Sequence, residues 1–501
     1  MCLTVSAARI VRRMEIFFTD AKALALPIQE GVDLDTNRAE AFARHFVPDG
    51  MPFVLNPDGS YHSVLNRFFR SLPVSGVRSK RSWRAYAYDL VTWARFLDER
   101  RNGRGLLEAD RRDLIAFHAA RRLSEPPYRI SAEAWNRLIA AMEKFYQWTL
   151  AVELLPRPPF QFEQQHPSGS VAVVGAKEKV VRHRGDVRFL SLSRYTTFRD
   201  VGLRGLAPGG AEDQGFANRC GARNAAFADL CVSTGLRLEE CNSLLACELP
   251  PIDTSDGARS SRFELAPPVT KGDRGRVIRI PHRVLRLVHD YADTERVLAL
   301  QRAAARGWTP TYRHLYVRSP DVRGGQLRVG DDRWVTVRWA DLPPDDRARL
   351  LEVDAAGQVV GPLALWASER GTAMTARSWE SVFSRASQRC DTLGLDVLAT
   401  PHTLRHTFAV HLLTQLVRQQ IALMREGAPD LRLGAYQRVM GDPLRHLQKL
   451  LGHSRVSSTY IYLDSVGEAQ ELIDDAVARL ADRVSLPGPE DMVADEIEEM
   501  V

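Results

Sequence analysis

The sequence predicts a mainly helical protein that also contains a small antiparallel β-sheet, an α+β fold. Apolar side chains recur at three- and four-residue steps in most patterned segments, which is the spacing of one helix face. Strict alternation of apolar and polar side chains is clearest on either side of one glycine-containing turn, where it predicts paired strands. The chain has 501 residues, of which 45% are hydrophobic and 26% are charged. That length and composition predict two or three domains with ordinary cores.

Several classes of protein are disfavoured by composition. No run of about eighteen apolar residues occurs, so we expect no membrane-spanning helix. The N-terminal stretch MCLTVSAARIVRRMEIFF lacks the long apolar segment and cleavage site of a secretory signal, so we expect a cytoplasmic protein. The six cysteines are scattered without a CxxC pair. We therefore expect free thiols and neither disulfides nor a structural zinc site.

The charge of the chain gives a mild indication of its partner. The formal net charge is +6, which is compatible with a polyanion but not specific for one. The basic residues are almost all arginine, with only seven lysines in the chain. Such usage is typical of a GC-rich genome, and it makes a lysine at a motif position more informative.

The first part of the chain contains a helical module. Residues 1–74 form an N-terminal extension of mixed character. Residues 75–158 contain three amphipathic helices, in SKRSWRAYAYDLVTWARFLDERR, ADRRDLIAFHAARRL and SAEAWNRLIAAMEKFYQWTL. Ser131 is the predicted N-cap of the third helix. We interpret the aromatic side chains as core residues and the flanking basic side chains as candidate contacts to phosphate groups; these are Arg78, Lys80, Arg81, Arg84 and Arg137.

The second part of the chain is a longer α+β domain. Residues 159–215 lack a clear period and are interpreted as a linker, and the domain itself spans 216–486. NAAFADLCVSTGLRLEECNSLL predicts helix, turn and helix, and SRFELAPPVTKGDRGRVIRIP predicts two strands around a turn. An insertion with strand-like pieces lies at about 300–361. The acidic tail, 487–501, is predicted to be disordered.

Three helices close this domain. They lie in TARSWESVFSRASQRC, HTLRHTFAVHLLTQLVRQQIALM and DPLRHLQKLLG. The last has a strong start signal, since Asp442 suits the N-cap and Pro443 suits the first helical position.

Four short motifs in this domain carry side chains suited to phosphate chemistry. TGLRLEE places Arg237 where a turn meets a helix, and TKGDRGR places Lys271 at a hairpin tip. TPHTLRHTF carries His402 and Arg405, which share a helix face because they are three residues apart. LGHSRVSSTYIY carries His453 followed by two tyrosines. Each motif alone is weak, whereas all four in this order are a strong signal.

The order of these motifs resembles that of the tyrosine recombinases, the family of phage integrases, chromosome-dimer resolvases and transposon recombinases. The resemblance covers about 78–485 and is most specific at 234–245, 268–281 and 400–464. In this family the nucleophilic tyrosine follows the histidine of the LGH motif by nine residues. That count selects Tyr462 rather than Tyr460. The acidic residue three positions after Arg237, Glu240, matches a common acidic position of the family.

The resemblance implies a role for each motif residue. Arg237 and Arg405 would clamp the non-bridging phosphate oxygens, and His402 and His453 would add hydrogen bonds. His402 would also help to accept the tyrosine proton, Lys271 would protonate the leaving 5′ hydroxyl, and Glu240 would orient an arginine. Arg274 would contact phosphate. His406 and His411 are expected to be structural. No metal ion, cofactor or ATP is expected.

The resemblance also implies an architecture and an assembly. A helical, SAM-like core-binding domain and the catalytic domain would form a C-shaped clamp around double-stranded DNA carrying specific recombination sites. The amphipathic helix at 468–484 would dock on a neighbouring protomer and build a tetramer, which passes through a Holliday junction. The location would be the bacterial cytoplasm, in association with the nucleoid. Two alternatives remain at this point: a type IB topoisomerase-like enzyme, and a DNA-binding accessory protein that does not cleave.

Overall fold

The computed structural model describes residues 13–20, 48–77, 79–160, 176–180, 187–216, 220–252, 257–311, 314–329, 333–425 and 442–466. The contacts divide the chain into two compact units, Met1–Arg182 and His183–Val501. Arg78, the helix expected at 468–484 and the tail at 487–501 lie outside the described residues.

The first unit is a helical module with one short sheet. Its helices are α1 (Ser63–Ser71), α2 (Lys80–Arg100), α3 (Arg111–His118, continued by a π-turn at Ala119–Leu123) and α4 (Ala132–Ala151). Strands β1 (Glu15–Phe18) and β2 (Pro52–Leu55) pair antiparallel. Capping fixes the helix starts: Ser131 Oγ accepts a hydrogen bond from Ala134 N at 3.2 Å, and Asp110 forms a capping box with Asp113.

One apolar core holds the first unit together. The aromatic stripes predicted from the sequence are buried in it, with Trp93 and Trp135 fully covered. The Nε1–H group of Trp93 donates to the Tyr146 hydroxyl at 2.9 Å, so the polar atoms of these buried rings are satisfied. Met51, Val54 and the apolar face of α1 belong to the same core. The described residues from 48 onward are thus integral to the helical module, although the sequence analysis places them in an extension.

The second unit is larger and contains the insertion. Its helices are α5 (Leu192–Thr197, continued by a π-turn at Phe198–Arg204), α6 (Gly221–Thr234), α7 (Leu238–Asn242), α8 (His282–Asp293), α9 (Glu295–Ala305), α10 (Pro344–Arg347), α11 (Ala376–Thr392), α12 (Pro401–Arg425), α13 (Pro443–Leu451) and α14 (Ser457–Tyr460). Tyr195 and Phe198 are buried in the main core of the unit. Part of the stretch 159–215, which lacks a sequence period, is therefore helical and packed.

Two sheets belong to the second unit. Strands β3 (Ser260–Leu265) and β4 (Arg276–Pro281) form the antiparallel pair expected around the turn that contains Lys271. The insertion forms a separate five-stranded sheet of β5 (Leu315–Arg318), β6 (Gly324–Val329), β7 (Arg333–Arg338), β8 (Leu350–Val353) and β9 (Val359–Pro362), in the order β7-β6-β5-β8-β9. The β5–β8 pair is parallel, so this sheet is mixed.

The fold is mainly helical with small sheets, as the sequence predicts. Within the described ranges, no helix combines the length and apolar character that crossing a bilayer requires.

Candidate active site

Three arginines converge on the C-terminal end of helix α13. Arg405 on α12 is 1% exposed and donates to the carbonyl oxygens of Gly235 at 2.5 Å and of Leu451 at 2.7 Å. Arg237, the N-cap residue of α7, also approaches the Leu451 oxygen, at 3.4 Å. Arg276 on β4 donates its Nε–H to the Leu450 oxygen at 2.8 Å. The negative end of the helix dipole thus faces three positive side chains, which partly offsets their mutual repulsion.

Glycines at two helix ends make this convergence possible. Gly452 ends α13 with φ +65°, and a Cβ there would lie 3.1 Å from Arg276 Cδ. Gly235 ends α6 with φ +67°, and a Cβ there would lie 2.4 Å from the Phe408 ring. Both positions need a left-handed backbone with close neighbours, which favours glycine. The Gly of TGLR and the Gly of LGH are therefore part of how the site is built.

Glu240 links two of the arginines. It is 1% exposed and accepts two hydrogen bonds from Arg276, at 2.9 and 2.6 Å, and one from Arg237 Nη1 at 3.0 Å. Burial alone would raise the pKa of this carboxyl, but the hydrogen bonds and charge of Arg276 outweigh it and leave the pKa below its ordinary value. Glu240 is therefore charged at neutral pH and orients both guanidiniums.

Tyr462 lies beside a cluster of imidazoles. Its side chain is 1% exposed, whereas that of Tyr460 is 52% exposed. The Tyr462 hydroxyl lies 3.0 Å from His406 Nδ1, and its ring is stacked on that of His453 with the centroids 6.3 Å apart. The ring of His402 meets that of His406 edge-on at 4.2 Å. One histidine that the sequence analysis treats as structural is therefore the hydrogen-bond partner of the predicted nucleophile.

The charge states in this cluster follow from burial. Burial lowers the pKa values of His406 and His453 to about 4, with neighbouring positive or imidazole groups adding to the effect. The pKa of His402 is also lowered, first by burial and then by Arg405 and Arg237. Burial raises the pKa of Tyr462 against the opposing pull of Arg405 and Arg237. At neutral pH the site therefore holds neutral imidazoles and a neutral phenol around cationic arginines.

Arg405 remains a cation in this environment. Burial lowers its pKa to about 9, with Arg237 as the next cause. That value is still well above neutral pH, so the guanidinium stays charged.

The remaining predicted residues lie elsewhere. Lys271 is exposed in the turn between β3 and β4, as is Arg274, and neither contacts the arginine and histidine cluster within the described part of the chain. In the first unit, Lys80, Arg81 and Arg84 lie exposed in the first turns of α2, and the Arg84 guanidinium covers the Phe18 ring at 4.4 Å. Their predicted contacts to DNA stay predictions, as does that of Arg78.

Arg137, also a predicted DNA contact, has an internal partner. Its guanidinium binds both carboxylate oxygens of Asp89, at 2.9 and 3.0 Å. A phosphate group would have to share the Arg137 guanidinium with Asp89.

Two residues that the sequence analysis did not select, Arg276 and His406, take part in the cluster. His406 lies four positions after His402, so helical spacing alone puts them on one face. Arg276 belongs to the TKGDRGR motif, but its pairing with Glu240 joins residues 36 positions apart. Among the described residues, no group of three or more His, Cys, Asp or Glu side chains has the arrangement of a metal site.

Two family models match the chain. Residues 65–152 match the phage integrase N-terminal SAM-like domain, and residues 214–424 match the phage integrase family. The chain belongs to the tyrosine recombinase (phage integrase) family. The second match includes Arg237, Lys271, His402 and Arg405, while His453 and Tyr462 lie beyond its end. For those two residues, membership of the candidate site is supported by the geometry around α13 and α14.

Relatives of this tyrosine recombinase include bacterial Xer proteins. Tyrosine recombinase XerC of Nitrobacter winogradskyi is 24% identical over 388 residues, which cover 77% of this chain and 83% of the relative. Tyrosine recombinase XerD of Corynebacterium glutamicum is 35% identical over 99 residues, covering 20% of this chain and 23% of the relative.

Similar solved structures include XerH site-specific recombinase bound to a palindromic difH substrate in a post-cleavage complex. It has a TM-score of 0.45 and 14% identity, covering 91% of this chain and 92% of that chain. A lambda integrase dimer bound to a COC′ core site has a TM-score of 0.40 and 13% identity, covering 80% of this chain and 94% of that chain.

Proposed function

We propose that this protein is a site-specific DNA recombinase of the integrase or transposase type, with Tyr462 as its nucleophile. The observation that carries the proposal is the cluster around Tyr462: its side chain contacts His406 and His453, and the charges of Arg405 and Arg237 act on its hydroxyl. His402 contacts His406, and both arginines share the Leu451 carbonyl oxygen. An oxygen nucleophile beside two guanidiniums suits attack on a phosphodiester, whose charge rises in the transition state.

The proposed cleavage step uses the groups in the cluster. The Tyr462 oxygen attacks the phosphorus atom and forms a P–O bond, and the bond from phosphorus to the 5′ oxygen breaks. The phenol proton passes to a neutral imidazole, for which His406 has the direct hydrogen bond at 3.0 Å. Lys271 supplies a proton to the departing 5′ oxygen. The product is a 3′-phosphotyrosyl link, and attack by another 5′ hydroxyl reverses the step and rejoins the strand.

The arginines would stabilise the charge that develops on the non-bridging oxygens. Arg237 and Arg405 already lie on a common carbonyl oxygen, that of Leu451, so their guanidiniums are held close together before DNA binds. Such preorganised donors are worth on the order of 3 kcal/mol of transition-state stabilisation each. The bond energy is retained in the phosphotyrosyl link, so the proposed reaction needs no ATP, and the arginines provide the charge that would otherwise call for a metal ion.

The proposal extends to the DNA and the assembly. The partner would be double-stranded DNA with specific sites, bound by the helical unit and the catalytic unit together. Strand exchange between two sites would use a tetramer and pass through a Holliday junction, with the segment 468–484 as the proposed docking element.

Covalent capture tests the nucleophile. The protein is incubated with a randomised pool of nicked duplexes, in which cleavage releases a short fragment and traps the enzyme on the strand. We expect an SDS-stable adduct with the wild-type protein, no adduct but retained DNA binding with Tyr462→Phe, and an adduct with Tyr460→Phe. Sequencing the trapped strands reports the preferred site.

The same experiment separates the rival functions. A DNA-binding accessory protein would give no adduct with any variant. A topoisomerase-like enzyme would relax any supercoiled plasmid as a monomer and would show no preferred site among the trapped strands. An adduct that persists in Tyr462→Phe and disappears in Tyr460→Phe would refute the assignment of the nucleophile.

A further inference from the structure

The inserted five-stranded sheet has one buried face, and its other face is exposed over strands β5, β6 and β7. Val317, Leu350 and Trp339 lie in a core cluster together with Leu245, so the inner face packs against the segment that follows α7. Arg347 of the insertion donates to the Ser243 oxygen at 2.8 Å and forms an ion pair with Glu248 at 2.6 Å. The sheet is therefore fixed to the part of the catalytic unit that carries Arg237.

The exposed face combines arginines with aromatic rings. Cross-strand pairing puts Arg318, Gln326 and Thr336 on one face, and the same face carries Arg328 opposite Trp334. The side chains of Arg318, Arg328 and Thr336 are exposed. Strands β5, β6 and β7 contain four arginines and no aspartate or glutamate.

The two central guanidiniums of this face are held in place by rings instead of carboxylates. The Arg318 guanidinium lies 4.5 Å from the centre of the Trp334 ring, and its Nε–H donates to Gln326 Oε1 at 2.6 Å. The Arg328 guanidinium lies 4.4 Å from the centre of the Tyr316 ring. Neither forms an ion pair with a carboxylate in the described part of the chain. At the edge of the face, by contrast, Arg338 is paired with Asp341 at 2.9 Å.

This arrangement of arginines and rings favours the binding of a polyanion that carries phosphate groups. A guanidinium over a ring keeps N–H groups free at its edge, and that fork matches the oxygens of a phosphate group. Because stacking already restricts both side chains, less conformational entropy is lost when a ligand binds. A solvated face without a partner would not need the rings beneath the arginines.

We propose that the outer face of the inserted sheet, centred on Arg318 and Arg328, is a second DNA-binding surface that contacts the phosphodiester backbone of a duplex. It differs from the cleavage site, since no residue of the Tyr462 cluster belongs to it. It would add affinity for DNA beyond the site that is cut, without reading its sequence.

The test compares two double variants of the full-length protein. In Arg318→Gln/Arg328→Gln, two guanidiniums that have no carboxylate partner among the described residues are removed from the sheet. In the matched control, Arg283→Gln/Arg286→Gln, the same charge is removed from exposed positions on helix α8. Fluorescence anisotropy measures binding to duplexes of about 30 and about 60 base pairs at several salt concentrations. Circular dichroism checks that both variants are folded.

We expect the sheet variant to bind the longer duplex roughly tenfold more weakly at about 0.1 M salt, and to lower the slope of log K against log salt by about 1.8, for two phosphate contacts. The control should keep the wild-type slope. Arg318→Lys/Arg328→Lys should recover part of the affinity, since it keeps the charge but not the fork. An equal loss on both duplex lengths would contradict the binding of DNA beyond the site that is cut.

Other outcomes overturn the proposal. Equal affinities and slopes for the wild type and the sheet variant would show that the face is merely solvated. Sheet-dependent binding to phosphatidylserine vesicles with unchanged DNA binding would identify an anionic membrane as the partner instead. Adduct formation on nicked duplexes is measured separately with the same variants, so failure of the cleavage proposal and failure of this one give different results.

Discussion

At the scale of single residues, the unexpected feature of the site is the partner of Tyr462. The hydroxyl contacts His406 at 3.0 Å, whereas His402 contacts the ring of His406. A neutral imidazole at this position can accept the phenol hydrogen and hold the oxygen in one place. His406 is thereby a candidate for both positioning the nucleophile and taking its proton.

Replacing His406 tests that role. His406→Ala should lower the rate of adduct formation at saturating protein by about 100-fold, since general-base assistance contributes on this order, while DNA affinity stays close to wild type. His411→Ala is the control, because His411 is on the same helix but contacts the Leu190 oxygen at 2.9 Å. Equal cleavage rates for the two variants would contradict the role, and partial rescue by His406→Asn would support positioning.

Arg276 is the second residue whose importance depends on contacts. Arg276→Gln leaves the Glu240 carboxylate buried without its bidentate arginine partner. The expected cost is about 3 kcal/mol of unfolding free energy. The substitution also removes the partner that fixes the Glu240 carboxylate, which in turn orients Arg237, so adduct formation should fall. Urea unfolding and the capture assay measure the two effects.

The controls for Arg276 separate stability from activity. Arg279→Gln removes an exposed arginine of the same strand and should change neither property. Glu240→Gln combined with Arg276→Gln removes both charges and should regain part of the stability but not the cleavage rate. If the double variant regains full cleavage, Arg276 and Glu240 do not position Arg237.

At the scale of elements, the site depends on where α13 ends. The helix begins at Pro443 behind an Asp442 cap whose Oδ1 accepts from Leu444 N at 2.9 Å, and it ends at Gly452. Its last carbonyl groups, of Leu450 and Leu451, receive all three arginines. The LGH motif is therefore a helix terminus as well as the source of His453.

A glycine substitution probes this helix end. Gly452→Ala should lower the unfolding free energy by about 2–3 kcal/mol, because Ala has both an unfavourable positive φ and a contact with Arg276. Gly394→Ala is the matched control: its φ is +72°, but no atom lies within 4 Å of an added Cβ. That variant should lose only about 1 kcal/mol. Thermal unfolding measures both, and equal losses would show that the contact with Arg276 is easily relieved.

At the scale of the whole molecule, the buried histidines link stability to pH. In the unfolded chain their pKa values return to about 6.5, whereas His406 and His453 have folded pKa values of about 4. Between these values the unfolded state binds more protons, so the contribution of these groups is fully present above about pH 6.5 and is lost as pH falls towards 4. The lowered pKa of Glu240 acts in the same direction.

Calorimetry over a pH series measures this linkage. We expect the melting temperature to fall between pH 7 and pH 4.5. His406→Asn removes one of the groups and should flatten the profile over that interval. A wild-type melting temperature that stays constant over this range, or that rises as pH falls, would contradict the assignment of neutral, buried imidazoles.

The sequence alone was enough for the family and the helical character, and it supplied most of the residues that meet in the candidate site. The apolar period of α2 and α4 and the caps at Ser131 and Asp442 are local signals, so they could be found without a structure. The motif residues could be found because phosphoryl transfer requires particular side chains, and because the family repeats them in one order at recognisable spacings.

Tertiary contacts decided the rest. Tyr462 meets a histidine 56 positions earlier in the chain, and Arg276 meets a carboxylate 36 positions earlier. No local period encodes such a contact, since it exists only once α12, α13 and β4 are packed together. The same is true of the inserted sheet: its parallel β5–β8 pair and its arginine-covered face arise from pairing between distant strands, and pairing register is a property of the folded chain.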